Sequence, residues 1–231
     1  HWRLAVLLDG SCGLRAGEVW ALRHRDIDLL NRELTVWFAL KEVNSRALDD
    51  STKGLLVGHP KSAASRRTLS IPAGLVPLME THLTTTGTGS GNGYAVVRED
   101  PSDENRGDLD WTNDPRDPDR LVFVTPTGYP VRHNLFYKRV FKPAVRAALP
   151  PRLHALRFHD LRHTAATLAL GGGAPMAMVK ERLGHENIAT TVDLYGKRVP
   201  SVDAAIADAV GASIFAPEVA EVVPLRPAAS A

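Results

Sequence analysis

Tyr195 stands ten residues after His185, which itself follows Leu183 and Gly184, and His159, Asp160, Leu161, Arg162 and His163 lie upstream. A phenol titrates near pH ~10, so a tyrosine attacks at neutral pH only with a proton acceptor and positive surroundings. His159 and the arginines could supply both. Breaking a phosphodiester by direct attack adds negative charge to its non-bridging oxygens, and fixed cationic donors lower that barrier. Arg15 and Arg162 suit the task because guanidinium is planar, always charged and able to hold two phosphate oxygens at once. Each residue also has an ordinary reading. Arg15 could pair with Glu18 at a helix start, Arg162 could be a surface arginine, His185 a helix cap and Tyr195 a packed side chain. His159 and His163 have the i, i+4 spacing of a metal pair, but Arg162 between them would repel a cation and no glutamate follows His159.

These residues need elements to hold them. The apolar pattern predicts helices over 2–9 and 16–23 with a turn at 11–15, where Gly13 permits an unusual backbone angle and Arg15 begins the second helix. Residues 34–40, 55–59 and 67–71 read as strands of a small antiparallel sheet, the last two forming a hairpin through Lys61 to Arg66. Helices are expected over 75–82, 132–148, 156–170 and 175–183, with Pro175 at a first turn. The 156–170 helix would carry His159, Arg162 and His163 on one face, with His163 packing behind the other two. A short helix from about 188 would carry Tyr195, and 202–210 would form a last one. In 132–148, Phe136, Val140, Phe141, Ala144, Val145 and Ala148 make an apolar stripe opposite Lys138, Lys142 and Arg146, with a register shift after Pro143. Residues 84–119 read as an inserted surface loop with a short run at 94–97, 121–125 as a strand, 127–131 as a turn and 217–231 as a tail. The fold class is mainly α with a small antiparallel β-sheet.

With 231 residues, 44% apolar and 23% charged, the chain can bury one sizeable core. No apolar run approaches the roughly 20 residues that span a bilayer, and no leader pattern opens the chain, so a cytoplasmic protein without a membrane partner is expected. The single cysteine, Cys12, excludes an internal disulfide and reads as a small buried filler. The net charge of +2 is unevenly spread: residues 98–120 hold nine acidic side chains against four arginines, whereas 121–159 hold seven Lys and Arg and no acid. That asymmetry fits a surface facing phosphates, or more plainly a solvated helix face. Lys138, Arg139 and Lys142 are candidate DNA contacts, to phosphate rather than to bases.

Four segments together, Gly13–Leu14–Arg15–Ala16–Gly17–Glu18 with Leu22, Lys61 within 60–72, His159 to His163, and Leu183–Gly184–His185 with Tyr195, resemble the catalytic domain of the tyrosine recombinases, also called the phage integrase family. The resemblance spans roughly 2–200. It implies that Arg15, Lys61, His159, Arg162, His185 and Tyr195 act on one phosphodiester. Tyr195 would be the nucleophile, His159 the proton-handling or phosphate-contacting histidine, and Lys61 the general acid for the departing 5′ oxygen, with Lys53 and Arg66 as competitors for that place. The product would be a 3′-phosphotyrosyl link that a second strand can reseal, with no ATP, metal or other cofactor. The implied partners are double-stranded DNA attachment sites, a homotetramer on DNA and a possible accessory directionality factor, in a nucleoid-associated setting. Residues 202–215 would dock on a neighbouring copy.

The resemblance divides the chain into a catalytic domain over 1–210, containing the 84–119 insertion, and a tail over 211–231. A separate DNA-gripping domain that precedes the catalytic one in the family is expected to be missing here. Two features depart from the pattern: many relatives place the tyrosine nine residues after the last histidine, and the acidic stretch at 98–120 is additional. Other readings are a type IB topoisomerase, a catalytically inactive DNA-binding relic and a metal hydrolase.

Overall fold

A computed structural model describes residues 2–42, 55–58, 63–85, 95–98, 109–110, 117–187, 189 and 191. Contacts group residues 1–198 into one unit, and 199–231 form a second that lies outside the described residues. In chain order the helices are α1 (Trp2–Cys12), α2 (Ala16–Trp20), α3 (Val76–Thr85), α4 (His133–Phe136), α5 (Lys142–Ala148), α6 (Asp160–Gly171) and α7 (Met176–Leu183). The strands are β1 (Ile27–Asp28), β2 (Glu33–Val36), β3 (Ala39–Glu42), β4 (Leu55–Gly58), β5 (Arg67–Ser70), β6 (Ala95–Arg98) and β7 (Leu109–Asp110). This is the α+β class that the sequence predicts. Among the described residues no helix is long and apolar enough to cross a membrane.

Leu4, Ala5, Leu8 and Cys12 fall at helical spacing, and all four are buried on the face of α1 that packs along α6. Cys12 is the buried filler its sequence context implied. Trp20 of α2 sits at the centre of an aromatic cluster with Trp2, Phe123, Phe136 and Phe158, at ring separations of 4.8 to 6.3 Å. Edge-to-face and offset geometries of this kind add to the apolar burial of each ring. The cluster joins α1, α2 and α4.

The strands differ from expectation in their partners. The 34–40 run is two strands, β2 and β3, which belong to different sheets, ordered β1-β2-β5 and β3-β4-β6-β7. Leu34, Val36 and Leu40 are all buried, so the alternation continues through the break and conceals it. Likewise β4 and β5 are not a hairpin: β5 pairs antiparallel with β2, whereas β4 pairs antiparallel with β3 and parallel with β6. Alternation fixes which face of a strand is buried but not which strand lies beside it. Within 84–119, β6 overlaps the short run expected at 94–97, and β7 pairs antiparallel with it. Residues 121–125 form isolated bridges, Arg23 to Leu121 and Val124 to Pro130, and no strand. The Val122 N–H donates to the Leu22 carbonyl at 2.8 Å, which ties this buried segment to the end of α2.

The 132–148 helix is interrupted before Pro143, by a π-helical turn at Tyr137–Phe141. Its buried positions are Phe136, Phe141 and Val145, while Ala144 and Ala148 are exposed. A five-residue step between the two phenylalanines is too long for a regular turn, and the wider turn brings both into the core. The 156–170 helix begins only at Asp160, whose carboxylate accepts the Arg157 N–H at 2.8 Å. His159 is therefore the N-cap of α6, not a residue one turn inside it.

Candidate active site

Arg15 is the N-cap of α2, with φ −82° and ψ 149°, which launches its side chain from the helix entrance. Glu18 closes a capping box on it: the Arg15 N–H donates to Glu18 Oε2 at 2.9 Å and the guanidinium to Oε1 at 2.7 Å. The ordinary helix-start ion pair is thus present, but it does not exhaust the group. Arg15 Nη1 also donates to Ser65 Oγ and Nη2 to the Gly184 carbonyl, each at 3.1 Å. The side chain keeps 37% of its surface exposed, and Glu18 keeps none. Burial pushes the Glu18 carboxyl up, but the charge and hydrogen bonds of Arg67 and the Arg15 N–H and guanidinium outweigh it and hold the group ionised below its usual range.

Arg162 is 2% exposed, which overturns a surface-arginine reading. Its Nη1 donates to the Gly13 carbonyl at 2.6 Å and its Nη2 to the Leu183 carbonyl at 2.5 Å. Gly13 makes this approach possible. Its φ is +68°, and a Cβ there would lie 2.7 Å from Leu183 Cδ2 and about 4.0 Å from Arg162 Cγ. Beneath lies Asp9, fully buried with neither carboxylate oxygen hydrogen-bonded. Burial pushes its carboxyl up to about 8, Arg162 pulls against that rise and Glu18 adds to it.

His185 follows the left-handed C-cap Gly184 of α7. Its Nδ1 lies 2.9 Å from the Thr191 hydroxyl; with the hydroxyl donating, Nε2 of the neutral ring carries the proton and can donate in turn. Burial and the charges of Arg162, Arg15, Arg67 and His163 push its pKa down to about 4. At the start of α6 the His159 ring meets the His163 ring edge to face at 5.0 Å. Burial first, then His163 and Arg162, lower the His159 pKa as well. A neutral imidazole can accept a proton, so this environment suits a base.

Arg15, Arg162 and His185 are brought together: the two guanidiniums hold the carbonyls of Gly184 and Leu183, immediately before the histidine. His159 lies within electrostatic reach of Arg162. Lys61, Lys53 and Tyr195 lie outside the described residues, as do 188 and 202–215. Of the candidate DNA contacts, Lys138 and Arg139 are exposed, but Lys142 is committed elsewhere. Its ammonium donates to the carbonyls of His154 at 2.7 Å and Leu156 at 3.2 Å, pinning the turn that leads to α6. It is a structural lysine, drawn inward because the π turn rotates this part of the helix.

Ser65 and Arg67 carried no assigned role in the sequence, and Glu18 only that of an ordinary partner to Arg15. Glu18 has a local signal, the three-residue spacing of a capping box. Ser65 and Arg67 lie in the 60–72 run that carries the resemblance, but nothing local points to their role, since Arg67 reaches Glu18 and Arg182, 49 and 115 positions away.

The sequence profile described as the Phage integrase family matches residues 1–199. A protein of Caldanaerobacter subterraneus named tyrosine recombinase XerC-like is 31% identical over 195 residues, covering 84% of this chain and 45% of the relative. A Mycobacterium tuberculosis protein named as a prophage phiRv2 integrase is 33% identical over 184 residues, covering 78% of this chain and 38% of the relative. The chain therefore spans less than half the length of these curated relatives. Among solved structures, the Tn1549 transposon integrase in complex with transposon right-end DNA superposes with a TM-score of 0.64 at 19% identity, over 91% of this chain and 58% of that one. At that identity the likeness establishes the fold.

Proposed function

Because the chain belongs to the phage integrase family, we propose that the complete protein cuts and rejoins DNA at specific sites through Tyr195 and so integrates or excises a mobile element. The observation that supports this most is the convergence of Arg15 and Arg162 on the Leu183–Gly184 carbonyls beside His185.

In this mechanism Arg15, Arg162 and His185 Nε2 donate to the non-bridging oxygens of one phosphate, where charge builds as the tyrosine attacks. The Tyr195 oxygen bonds to phosphorus and the bond to the 5′ oxygen breaks. The phenol proton passes to His159, kept neutral by burial and its cationic neighbours, and Lys61 protonates the departing 5′ oxygen. The phosphotyrosyl ester conserves the bond energy, so a 5′ hydroxyl of a second strand reverses the step with no external energy source. Double-stranded DNA is the partner, in keeping with the transposon DNA bound by the Tn1549 integrase. A homotetramer assembled through 202–215, phosphate contacts from Lys138 and Arg139, and a directionality factor complete the reading.

The test is a nicked DNA substrate drawn from sequence flanking the gene, incubated with the complete gene product in chelator and run on a denaturing gel. A protein–DNA adduct that is lost in Tyr195→Phe is expected. Tight binding with no adduct on any cleavable site would overturn catalysis and favour a binding relic.

A further inference from the structure

Arg67 enters the site from β5, 49 positions from Glu18 and 115 from Arg182. Its side chain is 7% exposed, and its donors are spent on the protein itself. Nε donates to the Arg182 carbonyl at 2.6 Å, Nη1 to the Ser65 carbonyl at 2.8 Å and to Glu18 Oε1 at 3.3 Å, and Nη2 to Glu18 Oε2 at 2.9 Å. Four hydrogen bonds to protein acceptors thus engage all three of its guanidinium nitrogens. Glu18 in turn receives two arginines, Arg67 on one side and Arg15 on the other.

We infer that Arg67 is a positioning residue that holds Arg15 in its phosphate-binding geometry, by sharing the Glu18 carboxylate and by clamping the backbone at Arg182 and Ser65. A buried carboxylate with one arginine beside it draws that arginine into a two-pronged pair. With Arg67 paired to both carboxylate oxygens, the Arg15 guanidinium reaches Glu18 through Nη1 alone while the Arg15 N–H shares Oε2, which leaves Nη2 on the Gly184 carbonyl. Gly184 packs closely against the same group: a Cβ there would lie 3.0 Å from Arg67 Nη1, Ala64 O and Ser65 Cα. Lysine cannot replace this fork, because one ammonium does not span Glu18 and two carbonyls that approach from different directions.

This inference rests on the proposed reaction for its kinetic test but not for its structural one. The rate of adduct formation on nicked DNA is measured for the complete protein carrying Arg67→Met, Arg67→Lys, Arg15→Ala, and Arg15→Ala with Arg67→Met. DNA affinity and a thermal melt are recorded beside each rate. Arg67→Met and Arg67→Lys are expected to slow cleavage about 10- to 100-fold, as displacement of a reacting group by an ångström does, with DNA affinity within about threefold of the parent. In the Arg15→Ala background Arg67→Met adds no further loss, since a residue acting through another is silent without it. An equal loss in both backgrounds would overturn the inference. A crystal structure of Arg67→Lys supplies an activity-independent answer: Arg15 leaves the Gly184 carbonyl and closes bidentately on Glu18. If Arg15 stays where it is, the inference fails even if cleavage proceeds. Should the unmodified protein form no adduct, the reaction is refuted, and that structure still decides the role of Arg67.

Discussion

Arg15 and Arg162 hold two consecutive carbonyls, those of Gly184 and Leu183, although one arginine starts α2 and the other is buried in α6. The end of α7 is thereby fixed against both cationic groups, and His185 is presented as the next residue. The geometry depends on Gly184, whose φ of +65° terminates α7 in the left-handed region. Gly184→Ala is expected to cost about 1–2 kcal/mol from backbone conformation alone, with more from the contacts near 3.0 Å that a Cβ would make. Urea unfolding measures the stability loss. Adduct formation should fall further than that loss explains, and an active, stable Gly184→Ala protein would show that the turn can be rebuilt.

Glu18 balances two arginines from a fully buried position. Breaking a buried, hydrogen-bonded charge set leaves the remaining partners uncompensated, typically at about 3–5 kcal/mol. Glu18→Gln keeps the shape and removes the charge, so a loss near the lower end of that range is expected in the denaturant midpoint. A change under about 1 kcal/mol would mean that water reaches this carboxylate.

Asp9 gives stability a pH dependence of definite sign. Its carboxyl is raised to about 8 by burial, so between its unfolded and folded pKa values the folded state retains a proton that the unfolded state has lost. Stability associated with this group is full below the unfolded value, near 4, and declines as pH rises toward 8. The slope is at most about 1.4 kcal/mol per pH unit. Asp9→Asn removes the titration, so its advantage in melting temperature should grow steadily from pH 5 to pH 8. A constant difference across that range would contradict a protonated Asp9.

His185 is held neutral, with its pKa pushed down to about 4 by burial and its cationic neighbours. Below the ordinary histidine value the unfolded state binds a proton that the folded site resists, so acid destabilises the fold progressively from about pH 6.5 toward 4. His185→Gln is expected to reduce this acid sensitivity, read from denaturant midpoints at pH 7 and pH 5. Equal sensitivity in the parent and the variant would show that other histidines carry it.

Amino-acid order alone was enough to place α1, α2, α3 and α7 and to single out a cationic set. The apolar run at Leu4, Val6, Leu7 and Leu8 announces α1, Pro175 marks the start of α7, and Arg15, Arg162 and His185 stand in motifs of recognisable type and spacing. These are properties of near neighbours, expressed within a turn or two. What the chain order left undecided is lateral: which strand lies beside β5, where the π turn draws Lys142 inward, and how Arg67 and Ser65 reach a site built from distant segments. Local periodicity reports the face that a side chain presents, not the partner that meets it. The environment of each titratable group was hidden for the same reason, because Asp9 becomes a buried, unpartnered acid beside Arg162 only when α1 packs on α6 and both are shut away from water.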